Sequence, residues 1–388
     1  MSSYDRKGWD NLAHQLWQDG KKNDAIQQIL ETLNAHGEKK PKASLLQLCY
    51  YLYFLNDFTT CVALLKNSLQ FYPDDHEILM NLAACLNRGG NHEDAISCAE
   101  KCISLEPENY TLWDTLTASC YRTGQYQKAS EAGTRSLTLK DRQHGTSKPS
   151  WSLPSLTPSE FAADKKKVIS FSLWGNNTRY LHGALRNVLL APDIYSGWEL
   201  WLYVDNSVPE FYRNLLQSLG GKLILQEDNQ SLKEKLCWRF KVVNAECVGY
   251  FLIRDADSVI SVREYNAVQA WIESDKWFHI IRDWWTHTDL VLAGLWGGVA
   301  GVLPDIREML VGYNPTNVET PNIDQWFLRD ELWSYLKTSC LIHDRCFKQV
   351  GASPLPGPLP SDNFHVGCCE ASQRPDFQKK MLEPWLGV

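Results

Sequence analysis

The sequence predicts an N-terminal α-helical solenoid joined to an α/β domain with a mostly parallel sheet, and three observations carry that reading. Pro73 and Pro107, Leu79 and Trp113, Leu82 and Leu116, Gly90 and Gly124, and Ala95 and Ala129 recur at a single spacing of 34 residues. From residue 167 onward, short apolar runs that end in Gly, Asn or Asp alternate with helical stretches, the pattern of strands separated by covering helices. Between these regions the chain turns to Thr146-Ser147-Lys148-Pro149-Ser150 and Leu153-Pro154-Ser155-Leu156-Thr157-Pro158-Ser159, a linker by composition. The expected organisation is a helical repeat domain over 1–141, a linker over 142–166 and an α/β domain over 167–388.

The totals narrow the function classes. A chain of 388 residues has room for two or three domains, each with its own core. The formal charge is -7 and the longest basic block is Lys165-Lys166-Lys167, which disfavours a nucleic-acid partner. Met1-Ser2-Ser3-Tyr4-Asp5-Arg6-Lys7 lacks the apolar core of a signal peptide, and no run is long enough to span a bilayer, so no transmembrane segment and a cytoplasmic location are expected. Twelve cysteines scattered over so long a chain read as reduced thiols. Cys340 and Cys346 bracket His343, and Cys368-Cys369 follow His365, but neither spacing matches a familiar zinc pattern. Only Trp9, Trp17 and Trp113 of the 16 tryptophans precede residue 150, which enriches the second half in aromatic faces that fill cores or stack on sugars and bases.

The 34-residue period identifies the first half. Each unit reads as a helix, a turn at Gly, and a second helix whose Ala permits close packing, with Pro ending the unit. Leu45, Leu48, Cys49 and Leu52 with Cys61, Leu65 and Pro73 form another copy. Trp9, Leu12, Ala13 and Leu16 with Gly20, Ala25 and Ile29 form an earlier one, offset by two extra residues around His36 to Lys42. Over residues 6 to 141 the pattern resembles the tetratricopeptide (TPR) family, and four copies suffice to bury a continuous core. Such repeats carry no chemistry. They imply a protein partner, a homodimer or a brace for the next domain.

The second half follows strand by strand. Val168 to Trp174 reads as a strand ending at Gly175-Asn176-Asn177, with a helix from Arg179 to Leu190. Glu199 to Val204 is a second strand ending at Asp205-Asn206-Ser207, followed by a helix from Pro209 to Leu219. Lys222 to Leu225 is a third strand, and a helix containing Trp238-Arg239-Phe240 leads to a fourth, Gly249 to Ile253. That fourth run ends in Arg254-Asp255-Ala256-Asp257. Two carboxylates at the tip of a buried strand require a cationic partner, and Mg²⁺ or Mn²⁺ shared with substrate phosphates is a natural one. No Gly-x-Gly-x-x-Gly follows the first strand and no Walker loop occurs, which disfavours dinucleotide oxidoreductases and P-loop enzymes.

The Asp-x-Asp pair in this strand order resembles the glycosyltransferases of the GT-A fold (Rossmann-like, nucleotide-diphospho-sugar transferase) across residues 167 to about 350. The resemblance implies a nucleoside contact at Asn176, Asn177 and Asp205 and metal binding at Asp255 and Asp257; Arg239 or Arg254 is expected on the phosphates, because the planar guanidinium fork pairs with phosphate oxygens. Asp205 also suits a simple turn, and either arginine suits a structural ion pair. Arg263-Glu264, Trp271, His279, Arg282-Asp283, His287 and Gly294-Leu295-Trp296-Gly297-Gly298 are similar to a group of bacterial and viral polysaccharide-type transferases. That likeness implies a donor-sugar pocket near Asp283, His287, Gly294, Trp296 and Gly297; equally, the glycines turn the chain between strands. Asp324, in Asp324-Gln325-Trp326, is implied to face donor or acceptor and also suits a helix cap. His343 and His365 are each implied as a third metal ligand, although the Lys-Pro-Trp ending of the glycogenin-like motif does not follow His365.

The expected activity is metal-dependent transfer of a sugar from a UDP- or GDP-sugar to a glycan or polypeptide acceptor. A divalent cation supports the departing diphosphate, and Asp324 or Asp283 serves as base if configuration inverts. The alternatives are a non-catalytic TPR adaptor with a degenerate transferase fold, and a sugar-nucleotide pyrophosphorylase. The latter needs a Gly-rich basic loop where Trp174-Gly175-Asn176-Asn177-Thr178 stands.

Overall fold

The computed structural model describes residues 7–146, 150–315, 322–360 and 364–387. It divides into two compact units, residues 1–139 and 140–388.

The first unit is a succession of antiparallel helices: α1 (Asn11–Gln18), α2 (Lys22–Asn34), α3 (Lys42–Phe54), α4 (Phe58–Ser68), α5 (His76–Arg88), α6 (His92–Leu105), α7 (Tyr110–Arg122) and α8 (Tyr126–His144), the last running on into the second unit. The turn inside each helix pair needs one left-handed residue, supplied by Gly20 (φ 79°), Asn56 (φ 61°), Gly90 (φ 84°) and Gly124 (φ 76°). Asn tolerates that region because its short side chain bonds locally, so the second copy keeps the turn without glycine. The small position of each second helix, occupied by Ala25, Cys61, Ala95 and Ala129, is fully buried. Asp10, Asp57, Asp75 and Asn109 cap four of the helices through their side-chain oxygens. Trp17 stacks on Tyr51 at 4.5 Å in the first core, and buried Gln47 exchanges two 2.8 Å bonds with the Asp10 backbone.

The second unit is built on one mixed sheet of eight strands in the order β3-β2-β1-β4-β6-β5-β7-β8. In chain order these are β1 (Lys166–Leu173), β2 (Trp198–Val204), β3 (Lys222–Leu225), β4 (Val248–Arg254), β5 (Phe278–Arg282), β6 (Leu295–Val299), β7 (Cys340–Asp344) and β8 (Ala352–Ser353). Among the strands of the described residues, β6 runs against its neighbours β4 and β5 and the other strand pairings are parallel. The helices are α9 (Pro158–Phe161), α10 (Thr178–Ile194), α11 (Glu210–Ser218), α12 (Leu232–Cys237), α13 (Val262–Ile272), α14 (Ile306–Gly312), α15 (Ile323–Phe327), α16 (Trp333–Leu336), α17 (Glu370–Gln373) and α18 (Pro375–Leu386), with a 3-10 segment at Trp238–Asn244. Gly297 and Gly298 lie inside β6 rather than in a turn. A Cβ on Gly297 would stand 2.6 Å from the Phe251 carbonyl oxygen, and one on Gly298 would stand 2.8 Å from the Phe278 ring, so close strand packing selects glycine at both. Among the described residues no helix is long and apolar enough to cross a membrane. Part of the expected linker, residues 147–149, lies outside the described residues.

Candidate active site

A cleft of about 610 Å³ opens in the second unit at the carboxyl ends of β1 and β4, where an α/β sheet presents its loops. Its walls bring together Asn176, Asn177, Arg239, Asp255, Asp257, His287, Gly294 and Asp324, eight of the residues singled out in the sequence.

The Asp-x-Asp turn sits where β4 ends. The Ser258 amide donates to the Asp255 carbonyl at 3.1 Å, closing the turn. Helix α10 clamps it: buried Asn187 donates to the Ser258 carbonyl at 2.9 Å and accepts from the Ile260 amide at 2.9 Å. Gly183 of α10 lies against the turn so closely that a Cβ would stand 2.6 Å from the Asp257 Cα. The two carboxylates are thereby held on a rigid frame but in different surroundings. The Asp255 side chain is 45% exposed to the cleft, that of Asp257 only 8%.

Arginines meet all three acids. Arg239, itself 4% exposed, bonds Asp255 through Nη1 and donates to Asp324 Oδ2 through Nη2 at 2.8 Å. Burial lowers the Arg239 pKa, but Asp255 and Asp324 outweigh it and hold the guanidinium charged. Its Nε has no hydrogen-bond partner among the described residues. Asp324, 3% exposed, opens α15 and accepts from the Gln325 amide at 2.9 Å; burial raises its pKa, against the opposing pull of Arg239. Asp257 is likewise raised by burial and by the Asp255 charge, and Arg179 opposes the shift at 2.5 Å. Gly294 is needed for room: a Cβ there would collide with the Asp255 carboxylate.

His287 is fixed in one protonation form. The Asp283 amide donates to His287 Nδ1 at 3.1 Å, so that nitrogen is unprotonated and the proton of the neutral ring sits on Nε2. Burial, with His365 and Arg282 adding, holds its pKa well below the usual histidine range. With Nδ1 engaged, Nε2–H is the donor this cleft-lining ring has left.

Seven of the expected residues are placed elsewhere. Asp205 is 1% exposed, bonded by Lys235 at 2.9 Å and by Ser207; burial raises its pKa, but Ser207 and Lys235 outweigh that and hold the carboxylate low. Ser207 in turn accepts from the Gly175 amide at 2.7 Å, so Asp205 organises the loop after β1 rather than facing a base. Arg254 forms a buried pair with Glu264 at 2.6 Å, donates to the Ile253 and Trp296 carbonyls, and does not line the cleft. Asp283 is fully buried, held by Arg263 at 3.1 Å and the Val366 amide at 2.9 Å, which removes it as a base. Trp296 packs edge-on against Phe251 at 5.2 Å and Gly297 lies beside it in β6; both serve the sheet and neither lines the cleft. His343 bonds His279 at 2.8 Å inside the sheet. His365 stacks on Trp284 at 4.2 Å and meets His287 edge-on, without lining the cleft itself. Among the described residues no group of three or more His, Cys, Asp or Glu is arranged to hold a metal, so neither histidine completes a set with the acid pair.

Arg179 and Tyr180 are cleft residues that sequence reasoning passed over as the ordinary start of a helix. The available signal was position: they follow Asn177, whose side chain caps α10 by accepting from the Arg179 amide at 3.0 Å, directly after the strand that precedes the cleft.

No family model matches the chain. A 65-residue stretch is 31% identical to the tetratricopeptide repeat-containing protein trd-1 of Caenorhabditis elegans, covering 17% of this chain and 8% of that protein. With the period, the left-handed turn residues and the buried small positions, the reading is decided. The chain contains tetratricopeptide repeats. Among solved structures, MamA from Desulfovibrio magneticus RS-1 is 19% identical over 36% of this chain and 77% of its own, with a TM-score of 0.32. An O-GlcNAc transferase mutant from Thermobaculum terrenum is 14% identical over 66% of this chain and 47% of its own, with a TM-score of 0.40. The TPR chain thus matches under a tenth of the curated relative and about half of the transferase, and the chemistry of its second unit rests on its own residues.

Proposed function

We propose that the second unit is a glycosyltransferase of the GT-A type, moving a sugar from a UDP- or GDP-sugar to a glycan or polypeptide acceptor. The observation that carries this reading is the convergence of Asp255, Asp257, Arg239 and Asp324, from three separate stretches of chain, in one cleft at the carboxyl end of a central strand. Buried acids whose pKa values are raised by burial, gathered in a cleft, make a candidate functional site. In this reading the TPR array binds a partner or acceptor, or pairs two copies.

The donor set suits Mn²⁺ or Mg²⁺. Asp255 and Asp257 offer hard oxygens, Asp255 with its carboxylate half open to the cleft, and such ions are commonly held by one or two carboxylates plus substrate phosphates. When bound, the cation would offset negative charge on the departing diphosphate. The chain's own residues do the remainder. Arg239 fixes the positions of Asp255 and Asp324 through its two terminal nitrogens. Both Asp324 oxygens are engaged, one by Arg239 and one by the Gln325 amide, so Asp324 orients Arg239 rather than taking a proton from the acceptor. His287 supplies a neutral Nε2–H to a hydroxyl or phosphate oxygen, and Trp174 and Tyr180 give aromatic faces for a base or sugar.

The second reading, a TPR adaptor with a degenerate transferase unit, has one observation in its favour: every acid of the cleft has an arginine partner within the protein. Incubating the purified chain and Mn²⁺ with a panel of UDP-, GDP- and CMP-sugars, reading nucleotide release and thermal shift, separates the two. Release that disappears in Asp257→Asn is expected; a panel with neither release nor shift leaves the adaptor reading.

A further inference from the structure

The Arg179–Asp257 pair is unlike the other ion pairs of the cleft. Arg239 lies wholly inside the protein, whereas the Arg179 side chain is 49% exposed while its partner is 8% exposed. Both its Nε and Nη2 reach one oxygen, Asp257 Oδ2, at 2.6 and 2.5 Å, which leaves the second oxygen of Asp257 without a bond from Arg179. The residue stands in the first turn of α10, a helix of 17 residues, next to the capping Asn177 and to Tyr180, whose ring it covers at 5.4 Å. All of these residues line the cleft. A guanidinium half open to water is held less firmly than an enclosed one such as Arg239, because water screens part of the attraction. The same guanidinium suits a phosphate, which its planar fork can pair in two places at once.

We propose that Arg179 is a displaceable counterion: it neutralises Asp257 in the free protein and moves onto the phosphates of a nucleoside diphosphate as a divalent cation takes the carboxylate. This rests on the transferase reading above and deepens it. The consequence is reciprocal coupling. A cation arriving alone must compete with Arg179 for Asp257, and a nucleotide arriving alone must compete with Asp257 for Arg179. Each ligand removes the other's competitor, so each raises the other's affinity by one common factor. No bond is made or broken in this exchange; one ion pair becomes two.

The test is equilibrium binding, read without turnover. Free Mn²⁺ is followed by its paramagnetic resonance signal against the full chain, with and without UDP, GDP, ADP, CDP or dTDP, for the wild type, Arg179→Gln and Asp257→Asn. For Arg179→Gln, Mn²⁺ alone should bind about fivefold tighter, because a partly exposed competitor of modest strength is gone. The diphosphate should bind more weakly in the presence of Mn²⁺, and the coupling factor should shrink toward one. For Asp257→Asn, a diphosphate in EDTA should bind more tightly than it does to the wild type, since Arg179 is then free. A wild type that binds cation and diphosphate together, with an Arg179→Gln variant whose Mn²⁺ affinity is unchanged or lower, overturns the inference and leaves the transferase reading standing. A wild type that binds neither brings down both. Because Arg179 is half exposed, loss of folding is not expected, and an unchanged thermal transition of each variant confirms it.

Discussion

Removing Arg239 is the sharpest test of how the cleft is held. Arg239→Met keeps much of the side-chain volume and deletes the charge shared by Asp255 and Asp324. The two losses differ in size. The Asp255 side chain is 45% exposed and can turn to water, so its share is at most about 1 kcal/mol. Asp324 is 3% exposed and keeps only the Gln325 amide, so it is left as a buried, nearly unpaired carboxylate, a situation that costs about 3–5 kcal/mol. The expected destabilisation of the second unit is therefore dominated by Asp324. At an m-value of about 3 kcal/mol/M this lowers its urea midpoint by about 1–2 M. Tryptophan fluorescence suits the assay, because 13 of the 16 tryptophans follow residue 150 and the signal reports mainly that unit. Two internal checks follow. Adding Asp324→Asn to Arg239→Met should recover much of the loss. Lowering the pH should also help the single variant: a carboxyl whose folded pKa lies above its ordinary 3.8 binds more protons folded than unfolded, so stability falls as pH rises through that window and returns as pH drops. An Arg239→Met protein within about 0.5 kcal/mol of the wild type at neutral pH, the size of an ordinary surface change, would refute the view that this guanidinium holds the acids in place.

Three further outcomes are expected. Gly294→Ala forces the Asp255 carboxylate out of its position; because that side chain is half exposed the fold should lose under about 1 kcal/mol, while Mn²⁺-dependent nucleotide binding by calorimetry falls about tenfold or more. His287 should show an unprotonated Nδ1 and a protonated Nε2 in nitrogen–proton correlation spectra from about pH 5.5 to 8, and a proton found on Nδ1 in that range would contradict the donor assignment. Gly183→Ala, whose Cβ meets backbone of the Asp-x-Asp turn rather than a flexible side chain, should lower the thermal stability of the second unit by about 1–3 kcal/mol; a neutral effect would mean that α10 does not frame the turn.

The repeats were legible because one packing problem is solved four times, at a spacing of 34 residues between the last three copies and 36 between the first two. Even their substitutions obey it: Asn56 stands where other copies have Gly, and Cys61 where they have Ala, each meeting the same conformational or volume demand. The first four strands were legible for a related reason, each being a short apolar run bounded by polar or glycine residues. The later strands were not. β5 carries His279 and Arg282 inside the core, tolerable only because His343 and Asp344 of β7 meet them from far along the chain, a pairing that local pattern does not reveal. β6 contains two glycines that imitate a turn while serving close strand packing. The same blindness divides the site. Arg239 and Arg254 read alike in sequence, yet one reaches the cleft and the other pairs with Glu264 inside the sheet. Asp283 and Asp324 read alike as bases, and the fold buries the first behind Arg263 while setting the second against the cleft wall.

That internal pairing bears on the choice between transferase and adaptor. An ion-pair network taken out of water brings little stability, and apolar residues of similar volume often do as well or better. Asp324 illustrates the cost, since burial raises its pKa in spite of Arg239. A unit that served only as scaffold would gain by replacing these groups, and nothing in its packing would require glycine at 294 to accommodate a carboxylate. Here the costly groups are gathered around an open cleft of about 610 Å³, with Asp255 in its lining left half exposed. Stability alone does not account for that arrangement, and the proposed transferase function supplies a reason for it in a ligand that uses those charges. The distinction is measurable in one multiple variant: Asp255→Asn, Asp257→Asn and Asp324→Asn combined with Arg239→Met should fold at least as stably as Arg239→Met alone while binding no Mn²⁺-nucleotide. A combined variant that kept wild-type nucleotide affinity would place the ligand site elsewhere.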